Sequence, residues 1–148
     1  MRRAHKKSDD DEALGRSRGG FSTKIHATVD ARGNPLRLTL SAGQRHDITQ
    51  AHALVDGFAF DVVIADRGYA AQEFVDTLVA DGIVVVIPAH QRAKTKRDYD
   101  RWLYKERHLV ECFFNKIKHF RRVFSRYDKR ASRYLGFVQF VSVLVWLR

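Results

Sequence analysis

Apolar residues recur along this chain with two different periods. Phe21, Thr23, Ile25, Ala27 and Val29 alternate with polar neighbours, the period-two signature of a strand. Asp30-Ala31-Arg32-Gly33-Asn34-Pro35 is turn chemistry, and Leu36, Leu38 and Leu40 then alternate with Arg37 and Thr39, so the pattern predicts a hairpin. A polar loop over 41–49 leads to a short helix through Ala51, Leu54 and Val55. Val62-Val63-Ile64-Ala65 is a continuous apolar run, as expected of a strand buried on both faces, and it ends at Asp66-Arg67-Gly68-Tyr69. Phe74, Val75, Leu78 and Val79 have helical spacing over 71–81; Ile83 to Ile87 is a further buried strand closed by Pro88. After a basic, polar linker over 90–101, the spacing predicts one helix from about Trp102 to Tyr127 and a last one from Ala131 to Leu147. Strands alternating with helices predict an α/β fold, a mixed sheet with flanking helices.

Residues 1–20 break both patterns. A basic cluster, the acidic run Asp9-Asp10-Asp11-Glu12 and Gly15-Arg16-Ser17-Arg18-Gly19-Gly20 leave few large apolar groups to bury, so 1–20 is expected to be a flexible lead that borrows its order, and 21–148 the folded domain. Nothing in the first residues resembles a secretory signal, and no apolar run reaches the roughly 18 residues a spanning helix needs. A single cysteine, Cys112, among 148 residues excludes an intramolecular disulfide framework and suits a reducing, cytoplasmic setting.

The formal charge of +10 changes the picture because it is regional. Residues 1–89 hold 11 basic and 12 acidic side chains, whereas 90–148 hold 16 and 5. A basic region over the last two-fifths of the chain attracts polyanions by releasing their condensed counterions, so nucleic acid is the expected partner rather than a membrane. No paired strand aromatics or recognised motif point to RNA.

Two acids stand out. On a helix beginning near Trp102, Tyr104, Arg107, Glu111 and Lys118 project within an arc of about 60°, apart from the apolar stripe Val110, Phe113, Ile117, Phe120 and Phe124. Arg107 and Glu111 are also an i, i+4 pair, which on a solvated helix is an ordinary salt bridge. Asp66 ends a sheet strand, where enzymes of this class collect reactive groups, although a turn or cap role is the plain alternative. Two acids converging from a strand end and a facing helix can bind Mg²⁺ or Mn²⁺ through oxygen ligands. Paired ions of this kind drive in-line attack on phosphodiesters.

Tyr104-x2-Arg107-x3-Glu111-x6-Lys118 resembles the C-terminal signature of the DDE transposases of bacterial insertion sequences, and Asp66-Arg67-Gly68-Tyr69 resembles that family's second acidic motif. Gly15 to Gly20, Lys24-Ile25-His26, Phe113 to Lys118 and Arg126 to Lys129 agree with it. The resemblance implies a ribonuclease H-like mixed sheet of about five strands, cleavage at transposon ends and strand transfer with Mg²⁺ or Mn²⁺. It implies that Asp66 and Glu111 are catalytic and metal-binding, that Tyr104, Arg107 and Lys118 bind DNA, and that the chain acts as a homo-oligomer or with full-length transposase. The family's first acid lies on a strand ahead of a segment like Arg3-Ala4-His5, so that strand and its Asp are expected to be missing here. Asp9, Asp10 and Asp11 sit in polar surroundings unlike it, and Asp30 reads as a turn residue. The alternative is a non-catalytic, DNA-binding transposase remnant that inhibits full-length subunits. His46-Asp47 in the polar loop could assist near the site, although a solvated loop pair is the plainer reading; Cys112 is read as packing, and Trp102 and Trp146 as core or interface anchors.

Overall fold

The computed structural model describes residues 12–17, 20–94 and 96–147. Most of the expected lead, residues 1–11 with Arg18 and Gly19, lies outside the described residues, as do Asp9, Asp10 and Asp11. Its described part is tied to the fold. Strand β1 (Gly15–Ser17) pairs antiparallel with the start of β2 (Gly20–Val29). The Glu12 carboxylate accepts the Ala131 N–H at 2.6 Å, and the Ala13 carbonyl accepts from Thr23 Oγ1 and from Arg126 Nη1.

The predicted hairpin is present. β2 pairs with β3 (Pro35–Ala42) from Thr23↔Ala42 to Val29↔Pro35, with an irregularity at Thr28/Val29. Gly33 turns it at φ +80°, a conformation that suits glycine, and Asp30 Oδ1 accepts the N–H groups of Arg32 and Asn34. Asp30 is therefore the turn residue that the sequence suggested. Ile25, Ala27 and Val29 pack on one face of β2 against a core of Leu38, Phe113, Ile117, Val123, Tyr134, Val138 and Val141. The other face carries Lys24, His26 and Thr28 toward the second half of the molecule.

In that half, α1 (Ala51–Val55) precedes β4 (Val62–Ile64), α2 (Gln72–Ala80) and β5 (Val84–Val86). β4 and β5 are parallel, in register Val62↔Val84 to Ile64↔Val86, and α2 buries Phe74, Val75 and Leu78 beside Ala51 and Ile87. Here the structure corrects two expectations. Among the described residues, five strands form a three-stranded sheet, β1-β2-β3, and a separate two-stranded one, β4-β5, rather than a single mixed sheet. Nor is β4 buried on both faces: Val62 is 38% exposed, and Val63 and Ile64 are only partly buried. An apolar run alone does not supply a second neighbour, and among the described residues no strand joins β4 to β2.

The long predicted helix is also divided. Residues Leu103–Arg107 form a 3-10 helix, followed by α3 (His108–Ile117) and α4 (Arg121–Phe124). Phe120 is extended (φ −78°, ψ 110°), and the break swings Val123 into the core, where the Tyr134 hydroxyl donates to its carbonyl at 2.7 Å. Phe124, which the stripe would have buried, is 77% exposed. Tertiary packing outweighs the local period. The last helix, α5 (Ala131–Trp146), matches the prediction and buries Tyr134, Val138, Val141 and Ser142. No described helix is long and apolar enough to cross a membrane.

Candidate active site

The site begins where β4 ends. Asp66 is extended and N-caps a one-turn 3-10 helix, Arg67–Tyr69, its Oδ1 accepting the Gly68 N–H at 2.8 Å. The cap role and a chemical role are compatible, because a carboxylate has a second oxygen and Asp66 is exposed. Asp66 lines an open cleft of about 390 Å³ with Asp47, Arg67, Gly68, Pro88, Tyr99 and Tyr104. The 3-10 helix carrying Tyr104 packs against β4, which brings the two sequence motifs to one place.

Along that second segment the residues follow one another as the helix type dictates. In a 3-10 turn, residues three apart eclipse, and the Arg107 guanidinium lies over the Tyr104 ring at 5.8 Å. One α-turn later Glu111 Oε1 meets Arg107 Nη2 at 2.7 Å. Asp66 and Tyr104 therefore share the cleft; Arg107 and Glu111 are reached from it through successive contacts. Lys118 sits exposed as the C-cap of α3 and does not line the cleft. The expected arc of four side chains is interrupted, because Tyr104 and Arg107 belong to the 3-10 turn while Glu111 belongs to α3.

Sequence reasoning left three groups that hold the Asp66 turn out of the site. Asp47, which the sequence offered as a loop residue either solvated or assisting near the site, lies across Gly68 from Asp66: a side-chain carbon at Gly68 would come within 2.8 Å of Asp47 Oδ2 and 2.9 Å of Asp66 Oδ1. Lys24 Nζ, on β2, pairs with Asp47 Oδ1 at 2.8 Å. His26 is buried, with Nδ1 2.8 Å from the Tyr69 hydroxyl and Nε2 2.7 Å from Ser41 Oγ. Burial pushes the His26 pKa below its ordinary 6.5, opposed by the charges of Asp47 and Asp66 and assisted by that of Lys24. Burial, with the same two carboxylates, pushes the Tyr69 phenol well above its usual range. A neutral imidazole between two neutral hydroxyls results. The readable signal was a histidine and a lysine, two apart on the same strand face, opposite an Asp-x-Gly-Tyr turn.

The donor chemistry suits a hard divalent ion only in part. Asp66 and Asp47 offer oxygens, but Asp47 is paired with Lys24 and Glu111 with Arg107. Among the described residues, no three His, Cys, Asp or Glu side chains gather to hold a metal.

Comparison with known proteins agrees with the motifs. The family model described as "Transposase DDE domain" matches residues 2–144. A protein of Brucella ovis named as a transposase for insertion sequence element IS6501 is 39% identical over 133 residues, which are 86% of this chain and 100% of that protein. A protein of Burkholderia cepacia named for element IS402 is 32% identical over 135 residues, 83% of this chain but 62% of that protein. No solved structure matches the chain. An acid at a strand end, the Tyr-Arg-Glu-Lys spacing and a match along nearly the whole length agree, and the chain belongs to the transposase DDE domain family.

Proposed function

We propose that residues 21–148 are the catalytic domain of an insertion-sequence transposase, a ribonuclease H-like fold that works on DNA at transposon ends. The observation that carries this reading is the convergence of Asp66, from the end of β4, and Tyr104, from the segment leading into α3, on one open cleft. Asp66 and Glu111 are its acidic groups. Tyr104, Arg107 and Lys118 engage DNA phosphates, and the exposed bases of the C-terminal two-fifths supply the attraction. Mg²⁺ or Mn²⁺ is the proposed cofactor; when bound it would lower the charge on the attacked phosphodiester and activate the attacking oxygen. Asp66 and Glu111 are the residues that would hold it, and Arg107 engages Oε1 of Glu111. The fold assignment is supported by an antiparallel hairpin and a parallel βαβ unit, β4-α2-β5, in one chain.

One observation favours a second reading, a DNA-binding relative that does not cut. Glu111 is engaged by Arg107, and no three-acid group is present among the described residues. A single experiment serves both readings. Duplex DNA carrying the ends of the chain's own element is titrated with the chain and with Arg107→Ala and Lys118→Ala at several salt concentrations, with and without Mg²⁺. Each variant should bind more weakly and lower the slope of log affinity against log salt by about 1. Variants that bind as the parent does would remove these residues from the interface. Nicking on addition of Mg²⁺ supports the first reading; binding without nicking supports the second.

A further inference from the structure

Trp102 does not serve the core. It is 78% exposed and the segment around it is held in place. It does not itself line the Asp66 cleft, but it lies in the chain between Tyr99 and Tyr104, which do. Asp100 Oδ1 accepts the N–H groups of both Trp102 and Leu103, at 2.8 and 2.9 Å, and the Asp100 carbonyl accepts the Tyr104 N–H at 3.0 Å. Tyr99 and Tyr104 meet edge-to-face at 5.3 Å. Lys105 Nζ lies 3.8 Å from the centre of the indole ring. The backbone on both sides is thus fixed, while the ring faces solvent with a cation on it.

The sequence offered a choice between core and interface for this residue, and exposure excludes the core. What remains is the kind of partner. A tryptophan that anchors a protein partner sits within an apolar patch that excludes water. Here the adjoining exposed residues are charged, Arg101, Lys105 and Glu106. Asp98 and Asp100 are engaged with backbone N–H groups of their own turn, and Arg101 and Lys105 supply positive charge beside the ring. A flat π-surface flanked by cations matches a nucleobase attached to a phosphate. In a duplex the base faces are covered by stacking, so a ring presented in this way selects nucleotides that are unpaired.

We propose that Trp102, with Lys105, is a stacking platform for an unpaired nucleotide of the DNA that occupies the Asp66 cleft. The proposal rests on the reading of that cleft as a DNA site. It assigns Trp102 a role separate from the phosphate contacts of Arg107 and Lys118: the platform reads whether the strand is open beside the cleft, and the phosphate contacts do not.

The test compares two labelled hairpin duplexes of the same sequence, one blunt and one ending in three unpaired thymidines, by fluorescence anisotropy with the intact chain. The parent should prefer the unpaired end. Trp102→Ala should lower affinity for that DNA roughly tenfold and leave blunt-duplex affinity unchanged, whereas Trp102→Phe should restore most of the preference. Circular dichroism of both variants should match the parent, since the side chain packs against little. Equal losses on both DNAs, or none on either, would overturn the platform while leaving the cleft's assignment to DNA intact. Failure of the parent to bind either DNA would overturn both. Retained DNA preference in Trp102→Ala, together with loss of a protein partner's binding, would show an interface anchor instead.

Discussion

The two halves of this molecule are built on different terms. The hairpin β2-β3 with α3, α4 and α5 encloses one continuous apolar cluster in which Phe113, Ile117, Val138 and Val141 are all but inaccessible. The β4-α2-β5 unit encloses a smaller one around Phe74, Val75, Leu78 and Ile87, and leaves Val62, Val79 and Val84 at its surface. Between them the ties are largely polar. His26 meets Tyr69, Lys24 meets Asp47, and Thr28 Oγ1 donates to the Leu54 carbonyl. Arg37 Nη1 donates to the carbonyls of Ala53 and Asp56. Apolar burial is tolerant of small shifts, whereas a hydrogen bond at 2.8 Å is not. The Asp66 turn lies at this polar joint, so its geometry is set by directional contacts rather than by packing.

The largest effect should come from breaking one core and watching the other. Phe113→Ala deletes a fully buried ring from the larger cluster and should cost about 3–5 kcal/mol. Leu78→Ala in the smaller cluster should cost about 2–5 kcal/mol. If polar ties couple the halves into one unit, both variants unfold in a single urea transition, followed alike by tryptophan fluorescence and circular dichroism. Two separated transitions in Leu78→Ala would mean that the β4-α2-β5 unit opens alone.

The same contrast explains what could be read from the residues. The hairpin and α2 were legible because each has one apolar face that repeats with one period and is bounded by unmistakable turn chemistry, at Gly33 and Gly82, and α5 because its apolar run is too long for a strand. Asp66 and Tyr104 were legible as site residues because spacing carries a motif. The division of residues 102–127 was not, since nothing local at Phe120 breaks a helix; the break exists to seat Val123 beneath Tyr134, a contact eleven residues away. Nor was the role of Asp47 or His26 legible. Their partners, Lys24 and Tyr69, lie 23 and 43 residues away, and only the folded chain brings them together.

A smaller effect sharpens the joint itself. Gly68 stands between two engaged carboxylates: Asp66 accepts the N–H of Gly68 itself, and Asp47 is paired on its far side with Lys24. Gly68→Ala must displace at least one of them, at a cost of about 1–3 kcal/mol. The same substitution at Gly57, where an added carbon meets nothing, has no such collision, although its φ of +74° strains any side chain there. Amide exchange at Gly68 and Tyr69 should therefore accelerate in Gly68→Ala while exchange in the β2-β3 hairpin stays slow. Uniform acceleration would show that the collision unsettles the whole fold.

The smallest effect is the dependence of the joint on pH, and its sign follows from His26. The folded state binds a proton at this ring less readily than the unfolded chain, because burial lowers its pKa below 6.5. Between the folded and unfolded values the unfolded state carries more protons, so stability rises with pH through that window. The contribution is complete above about pH 6.5 and is lost as acid carries the ring through its folded pKa, where protonation would make both ring nitrogens donors. The hydroxyl of Tyr69 or Ser41 that donates to the neutral ring would then have to turn and accept from it. His26→Gln, which keeps hydrogen-bonding capacity but does not titrate, should abolish the part of the stability slope below about pH 6.5 that belongs to this ring. Carboxylates such as Asp30, whose hydrogen bonds with Asn34 and Arg32 outweigh its burial and lower its pKa, contribute their loss at more acid pH in both proteins. Urea unfolding of parent and variant at matched pH separates the two contributions. An unchanged slope in His26→Gln would mean that the imidazole does not control the joint. The Lys24–Asp47 pair would then be left to hold the Asp66 turn against β2.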